Sequence, residues 1–389
     1  MSAPFSPRFD QKIYHQKLIK LLPLERYLIE KRSILSRVAH FTNTSKPKGA
    51  QQLQEPMFDF SSLQWYLIRT FVNSTLSLRR SAYFSPSTQP DLTRTYTCRP
   101  HLYPARIFLP SSHDHSEPDP VAAKSFPLII RVHGGGFVLN NPSVDDPLAR
   151  HLADHARCVV VSIDYSKSPQ SKFPTAYEDV IALSLAVMAD QDLPIGRTKV
   201  VLCGSSAGGN LVLAAAQDVR LREKIVGVAA IYPLVDLVPD GSAKMATRPD
   251  PLVPDFLGEE SYDGVQKLYL DSTNGAAPSL KDPRVSPTYF ASRKSLPGRV
   301  LLIGAEHDLL CAEAEAMAEK LAASAGGERR ETAAGWRARG VWWHRLYGQR
   351  HAFEGFPEKD PGKERERLEK VEEMYALVCE WFGDVFAGA

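Results

Sequence analysis

Short apolar runs alternating with stretches of helical spacing constrain this chain more than any other feature. Pro127-Leu-Ile-Ile-Arg-Val132, Cys158-Val-Val-Val-Ser-Ile163 and Lys199-Val-Val-Leu-Cys203 read as strands, and Val226 to Ile231 and Val300 to Ile303 extend the series. Helix-patterned stretches from Pro147 to His155 and from Ala176 to Ala189 separate the first three. Such alternation is the mark of a parallel sheet covered by helices on both faces. The runs lack the apolar/polar alternation of a half-exposed sheet, so both faces should be buried. Ligands then belong at the carboxyl ends of the strands.

The 389 residues suit one large α/β domain with an appendage. Apolar residues at 43% and charged residues at 24% are those of an ordinary globular chain. A formal charge of +2, with Lys and Arg scattered, implies neither nucleic acid nor an acidic polymer as partner. Cys98, Cys158, Cys203, Cys311 and Cys379 form no CxxC pair and read as reduced thiols. The first residues lack the unbroken apolar core of a secretory signal, and no run reaches the length of a membrane span. A cytoplasmic location is the default expectation.

Amphipathic spacing predicts helices from Leu18 to about His40 and from Leu63 to Leu78, joined by a polar segment around Thr42 to Glu55. Residues 1–95 are expected to form a helical cap or lid and residues 96–389 the catalytic domain. Trp65, Tyr66 and Phe71 leave weak membrane-surface contact open. Asp240 to Pro287 is polar, Pro-rich and weakly periodic, which suits an inserted lid. Gly326 to Gly340 reads as a surface loop without chemical role, and Lys363 to Phe382 as a terminal helix docked on the sheet.

Gly204-Ser-Ser206-Ala-Gly208 matches G-x-S-x-G where a strand ends and a helix begins. A serine between two glycines can occupy a turn too tight for neighbouring side chains, which projects its oxygen from the sheet. His133-Gly134-Gly135-Gly136 directly follows another strand. Bare backbone N–H groups of Gly134 and Gly135, with that of Ala207, can form an oxyanion hole, and losing one such donor raises the barrier by about 3 to 4 kcal/mol. A serine hydroxyl also needs a base and an acid that orients it. His351 follows the last strand and Asp308 follows the strand ending at Ile303, in the chain order Ser, Asp, His. Glu306 stays open as an alternative acid, while His307 and His344 read as surface or packing residues. His133 reads as a loop-fixing residue.

These residues resemble the hormone-sensitive-lipase-like family of α/β hydrolases. The resemblance rests on HGGGF at His133 to Phe137, Asp164-Tyr165, FPTAYEDV at Phe173 to Val180, Gly209-Asn210 after the nucleophile motif, Tyr232-Pro-Leu-Val-Asp236, Asp282-Pro-Arg-Val-Ser-Pro287 and Ala305-Glu-His-Asp-Leu309. It covers about residues 95 to 385. It implies the α/β-hydrolase fold with a mostly parallel central sheet and a helical cap, hydrolysis of small to medium carboxylic esters through an acyl-enzyme on Ser206, and no metal or organic cofactor. Three departures stand out: Ser205 where the family usually has Asp, Ser166-Lys-Ser168 within the usual DYRLAP, and Ala352 for the usual Gly. Acyl transfer or cyclisation of a specialised metabolite, and a non-catalytic receptor role, remain alternatives, because function lives in the site and not in the fold.

Overall fold

A strand buried on both faces must be apolar at successive positions, and the central strands are. Leu128, Ile130 and Val132 point into one core layer and Ile129 into the other. Val159, Val161 and Ile163 share the first layer, Cys158 and Val160 the second. The computed structural model describes residues 69–70, 73, 88–111, 125–270, 277–325 and 328–388. The helix expected from Leu18 to His40, the aromatics Trp65, Tyr66 and Phe71, and most of the stretch from Leu63 to Leu78 lie outside the described residues. Within that stretch Arg69, Thr70 and Asn73 are helical.

Among the described residues, ten strands form one sheet: β1 (Leu92–Arg94), β2 (Ala105–Phe108), β3 (Phe126–Val132), β4 (Val159–Ile163), β5 (Ile195–Ser205), β6 (Gly227–Ile231), β7 (Arg299–Ala305), β8 (Arg329–Thr332), β9 (Gly335–Ala338) and β10 (Val341–Leu346). Their order is β1-β2-β4-β3-β5-β6-β7-β10-β9-β8. The six from β4 to β10 in that order are parallel, flanked by antiparallel β1 and β2 on one edge and β9 and β8 on the other. This is the α/β-hydrolase fold. The sheet begins at Leu92, just ahead of the boundary expected near residue 95.

Helices α1 (Asp146–His155), α2 (Thr175–Ala189), α3 (Ala207–Ala215), α4 (Gly241–Met245), α5 (Glu259–Leu270), α6 (Cys311–Ala325) and α7 (Pro361–Ala387) complete the described secondary structure apart from helical Arg69, Thr70 and Asn73 and single 3₁₀ turns. Apolar residues of α2, α3 and α6 cover one sheet face, and those of α1 and α7 the other. Asp360 caps α7 by accepting from the Lys363 N–H at 2.9 Å, and Pro361 fits its first turn. The helix runs to Ala387 because Val385 and Phe386 remain on its buried face.

The expectation of a surface loop from Gly326 to Gly340 is corrected. Residues 329–338 form a β-hairpin that adds two strands beyond β10. Its outer strand is wholly exposed and charged, as edge strands that resist further pairing commonly are. The inner strand carries Trp336, only 1% exposed, with the Arg329 guanidinium 4.5 Å from its ring centre. One tryptophan in an Arg/Gly/Ala-rich stretch supplies the apolar anchor that average composition concealed.

Candidate active site

The carboxyl end of β5 turns abruptly into α3, and Ser206 stands at the turn with φ 55° and ψ −120°. That backbone is disfavoured for a side-chain-bearing residue and persists only where surroundings enforce it. The surroundings are two glycines that leave no room for a side chain. A Cβ on Gly204 would lie 2.2 Å from the Gly208 carbonyl oxygen, and one on Gly208 would lie 2.1 Å from that of Val132. The Ser206 N–H donates to Ile231 O at 2.9 Å, tying the elbow to β6.

His351 and Asp308 reach the same sheet edge from the loops after β10 and β7. His351 Nε2 lies 2.9 Å from Ser206 Oγ, and its Nδ1 lies 2.6 Å from Asp308 Oδ2. The other Asp308 oxygen accepts from the Leu310 N–H at 2.9 Å, which fixes the carboxylate plane. All three residues are buried. Burial disfavours a charged imidazole, but the charge and hydrogen bond of Asp308 outweigh it and hold the His351 pKa above its ordinary value. Glu306 lies elsewhere: its Oε2 accepts from the Gly348 N–H at 2.8 Å, bracing the loop that carries His351. His344 pairs with Glu373 at 2.8 Å on the side of α7, and His307 faces Glu306.

The glycine loop after β3 lies against the elbow, where a Cβ on Gly134 would stand 3.2 Å from that of Ser206. The Gly134 carbonyl oxygen accepts from Asn140 Nδ2 at 3.1 Å and lies 2.7 Å from His133 Nδ1. In a trans peptide the N–H points opposite the C=O, so anchoring this carbonyl turns the Gly135 N–H the other way. Among the described residues, no hydrogen bond takes up the N–H of Gly134 or Gly135. Ala207 is the first residue of α3, where N–H groups lack intrahelical acceptors. His133 itself is fully buried, stacked on Tyr165 with ring centres 4.5 Å apart, its Nε2 3.0 Å from Asp164 Oδ1. Burial, then the nearby Lys167 ammonium, depress its pKa, which suits a fixing residue and not a base. Lys167 donates to Asp164 at 2.5 Å, and Arg99 pairs with Asp179, so two cations serve the segment that departs from DYRLAP.

The insert approaches this edge. Val265 of α5 would meet a Cβ on Gly136 at 3.1 Å, and Tyr269 stacks on Phe137 with ring centres 3.8 Å apart. Asp255 accepts from the His351 N–H at 3.4 Å. Nothing in the polar stretch around Asp255 signalled this contact beforehand. Tyr232, which the sequence offered only as part of a motif, meets the His351 ring edge-on at 5.0 Å.

A nucleophilic serine on a strand–turn–helix elbow, with a histidine and a carboxylate from later strands of a parallel sheet, defines the architecture of α/β hydrolases. The family model described as alpha/beta hydrolase fold matches residues 129–334, more than half of the chain. The chain belongs to this family, in its hormone-sensitive-lipase-like branch. Solved structures resemble it over most of their length. A Pyrobaculum calidifontis esterase is 24% identical with a TM-score of 0.63, covering 84% of this chain and 95% of its own. The thermostable carboxylesterase EstE1 from a metagenomic library is 26% identical with a TM-score of 0.59, covering 79% and 96%. The esterase LipW of Mycobacterium marinum is 22% identical with a TM-score of 0.62, covering 84% and 92%. No helix among the described residues is long and apolar enough to cross a membrane.

Proposed function

We propose that the chain hydrolyses small carboxylic esters through an acyl-enzyme on Ser206. The observation that carries this reading is the contact series from Ser206 Oγ through both ring nitrogens of His351 to Asp308. His351 Nε2 takes the hydroxyl proton as Oγ attacks the ester carbonyl carbon. The carbonyl oxygen becomes an oxyanion held by the N–H groups of Gly134, Gly135 and Ala207. Collapse breaks the bond to the alcohol oxygen, which leaves with the proton from His351. Water then gives its proton to His351, attacks the acyl carbon and releases the acid and the free serine. Asp308 keeps the imidazole in the tautomer that accepts at Nε2 and stabilises its charged form. The insert, through Val265, would wall the acyl pocket.

Ser206→Ala should remove both turnover of short-chain esters and labelling by a fluorophosphonate while leaving the unfolding temperature unchanged. Asp308→Asn should slow turnover by about 10⁴-fold, as loss of the tautomer does in a comparable triad. Glu306→Gln should change it by no more than a few-fold. Turnover within tenfold of wild type for Ser206→Ala would sink the mechanism, and a reversed ranking of the acid variants would reassign the acid. Labelled Ser206 with acyl-enzyme that yields to an added acceptor but not to water would redirect the assignment to acyl transfer.

A further inference from the structure

Around the elbow lie buried polar groups that no step of ester cleavage uses directly. Arg131 of β3 is 1% exposed. Its Nη2 donates to Ser205 Oγ at 2.6 Å and to Asp145 Oδ1 at 3.2 Å, and its Nη1 lies 3.0 Å from Cys203 Sγ. After β6, the Tyr232 phenol O–H donates to Glu354 Oε1. Glu354 lies three residues beyond His351 on the same loop. The Tyr232–Glu354 hydrogen bond therefore ties the loop after β6 to the loop that carries His351.

The geometry is costly in ways that need a return. A buried guanidinium is retained only when paired, and here burial works to lower its pKa while Asp145 and Cys203 more than restore it. Tyr232 adopts φ 36°, a left-handed backbone unusual for an aromatic residue. Burial, then the Glu354 carboxylate, push the phenol pKa well above the ordinary range, so it remains a neutral donor. That strained backbone and that hydrogen bond together set the Tyr232 ring edge-on to His351, at an interplanar angle of 65°. From the other side, Arg367 Nη1 donates to the Phe353 and Glu354 carbonyls at 3.2 and 3.0 Å and pins the loop to α7.

We propose that Tyr232 and Glu354 form a short positioning chain for His351, in which Glu354 draws the phenol into place and the Tyr232 ring buttresses the imidazole. The inference rests on the ester-hydrolase reading, in which His351 is the base. Tyr232 and Glu354 are positioning residues, since neither bonds to a reacting atom. The titratable or charged groups facing His351 are Asp308 after β7, Asp255 from the insert, Tyr232 after β6 and Glu354 on its own loop. Asp308 supplies the dominant charge, and Asp255 and then Glu354 add to it.

The test uses the full-length chain and two nearly isosteric variants, Tyr232→Phe and Glu354→Gln, assayed with a short acetate ester across pH. Each should lower kcat by about tenfold with KM within twofold, less than the roughly 10²-fold that a full ångström of misplacement costs. Glu354→Gln should also move the acid limb of kcat/KM to lower pH, because losing a nearby negative charge makes the imidazolium easier to deprotonate. The double variant should fall no further than the worse single one, since both act through one chain. Glu354 is partly exposed, so Glu354→Gln decides the matter by its pH profile even where Tyr232→Phe unfolds. A kcat within twofold of wild type, an unmoved acid limb, or multiplying losses in the double variant would overturn the chain. Wild type that neither turns over esters nor labels at Ser206 would instead overturn the ester-hydrolase reading.

Discussion

Tyr269 shows how a single atom weighs on the fold. Its ring is fully buried between Phe137, on which it stacks, and Phe173, which it meets edge-on. Its hydroxyl, however, has no hydrogen-bond partner among the described residues. An unsatisfied buried hydroxyl costs on the order of 1 to 3 kcal/mol. Tyr269→Phe should therefore raise the urea midpoint, adding about 1 kcal/mol of stability, with acetate-ester turnover unchanged. A lower midpoint would mean that the hydroxyl is satisfied. At this scale the sequence was informative where the constraint is local. Gly204, Ser206 and Gly208 act within one turn, so their spacing declared the elbow. The partner of Ser205 was hidden, because Arg131 lies 74 residues away and reads as an ordinary interruption of an apolar strand. Ala352, noted as a departure from glycine, holds φ 52°, a conformation that glycine adopts at lower cost.

Among the elements, the insert between β6 and β7 is attached through a buried ion pair. Lys244 of α4 is buried and paired with Glu313 of α6, and its ammonium also donates to Asp236 O at 2.6 Å. Glu313 accepts the N–H groups of Val235 and Asp236 at 2.8 and 3.2 Å. Burial drives the Glu313 pKa up to about 7 against the pull of Lys244. Lys244→Met would leave that carboxylate buried without its cation, a loss of about 3 to 5 kcal/mol when one partner of such a pair is removed. The sign of its pH dependence follows from linkage. A carboxyl whose folded pKa is raised binds its proton more tightly in the native state, so stability falls as pH rises from the unfolded value towards the folded one. The Lys244→Met loss should accordingly be smaller at pH 5.5 than at pH 8, and Lys244→Met/Glu313→Gln should recover most of it. Equal losses at both pH values, measured by urea unfolding, would show that Glu313 does not titrate with folding. None of this was readable beforehand: Lys244 and Glu313 are 69 residues apart, and a lysine in a polar insert reads as solvated.

For the molecule as a whole, the question is whether the hairpin of β8 and β9 belongs to the same cooperative unit as the central sheet. Trp336 indicates that it does, because it is buried in the core layer shared with α6 and the central strands. Trp336→Ala should cost about 3 to 5 kcal/mol, as truncation of a buried aromatic does, with kcat at 25 °C preserved because the side chain touches none of the triad. A loss below about 1 kcal/mol in the single unfolding transition would mark the hairpin as an appendage. The sequence by itself determined what depends on neighbouring residues: apolar strands too short to be helices, the helices between them, the glycine-framed elbow and the glycine loop after β3. Steric limits on φ and ψ and the period of side-chain burial act over a few residues, so they are written locally. Tertiary structure alone decided what depends on groups far apart in the chain. It set Arg131 under Ser205, joined Tyr232 to Glu354, clamped the insert through Glu313, and turned an arginine-rich segment into two strands. Each of those outcomes follows from which buried charges and apolar surfaces can be satisfied together once the sheet has formed, and residue spacing carries no record of that.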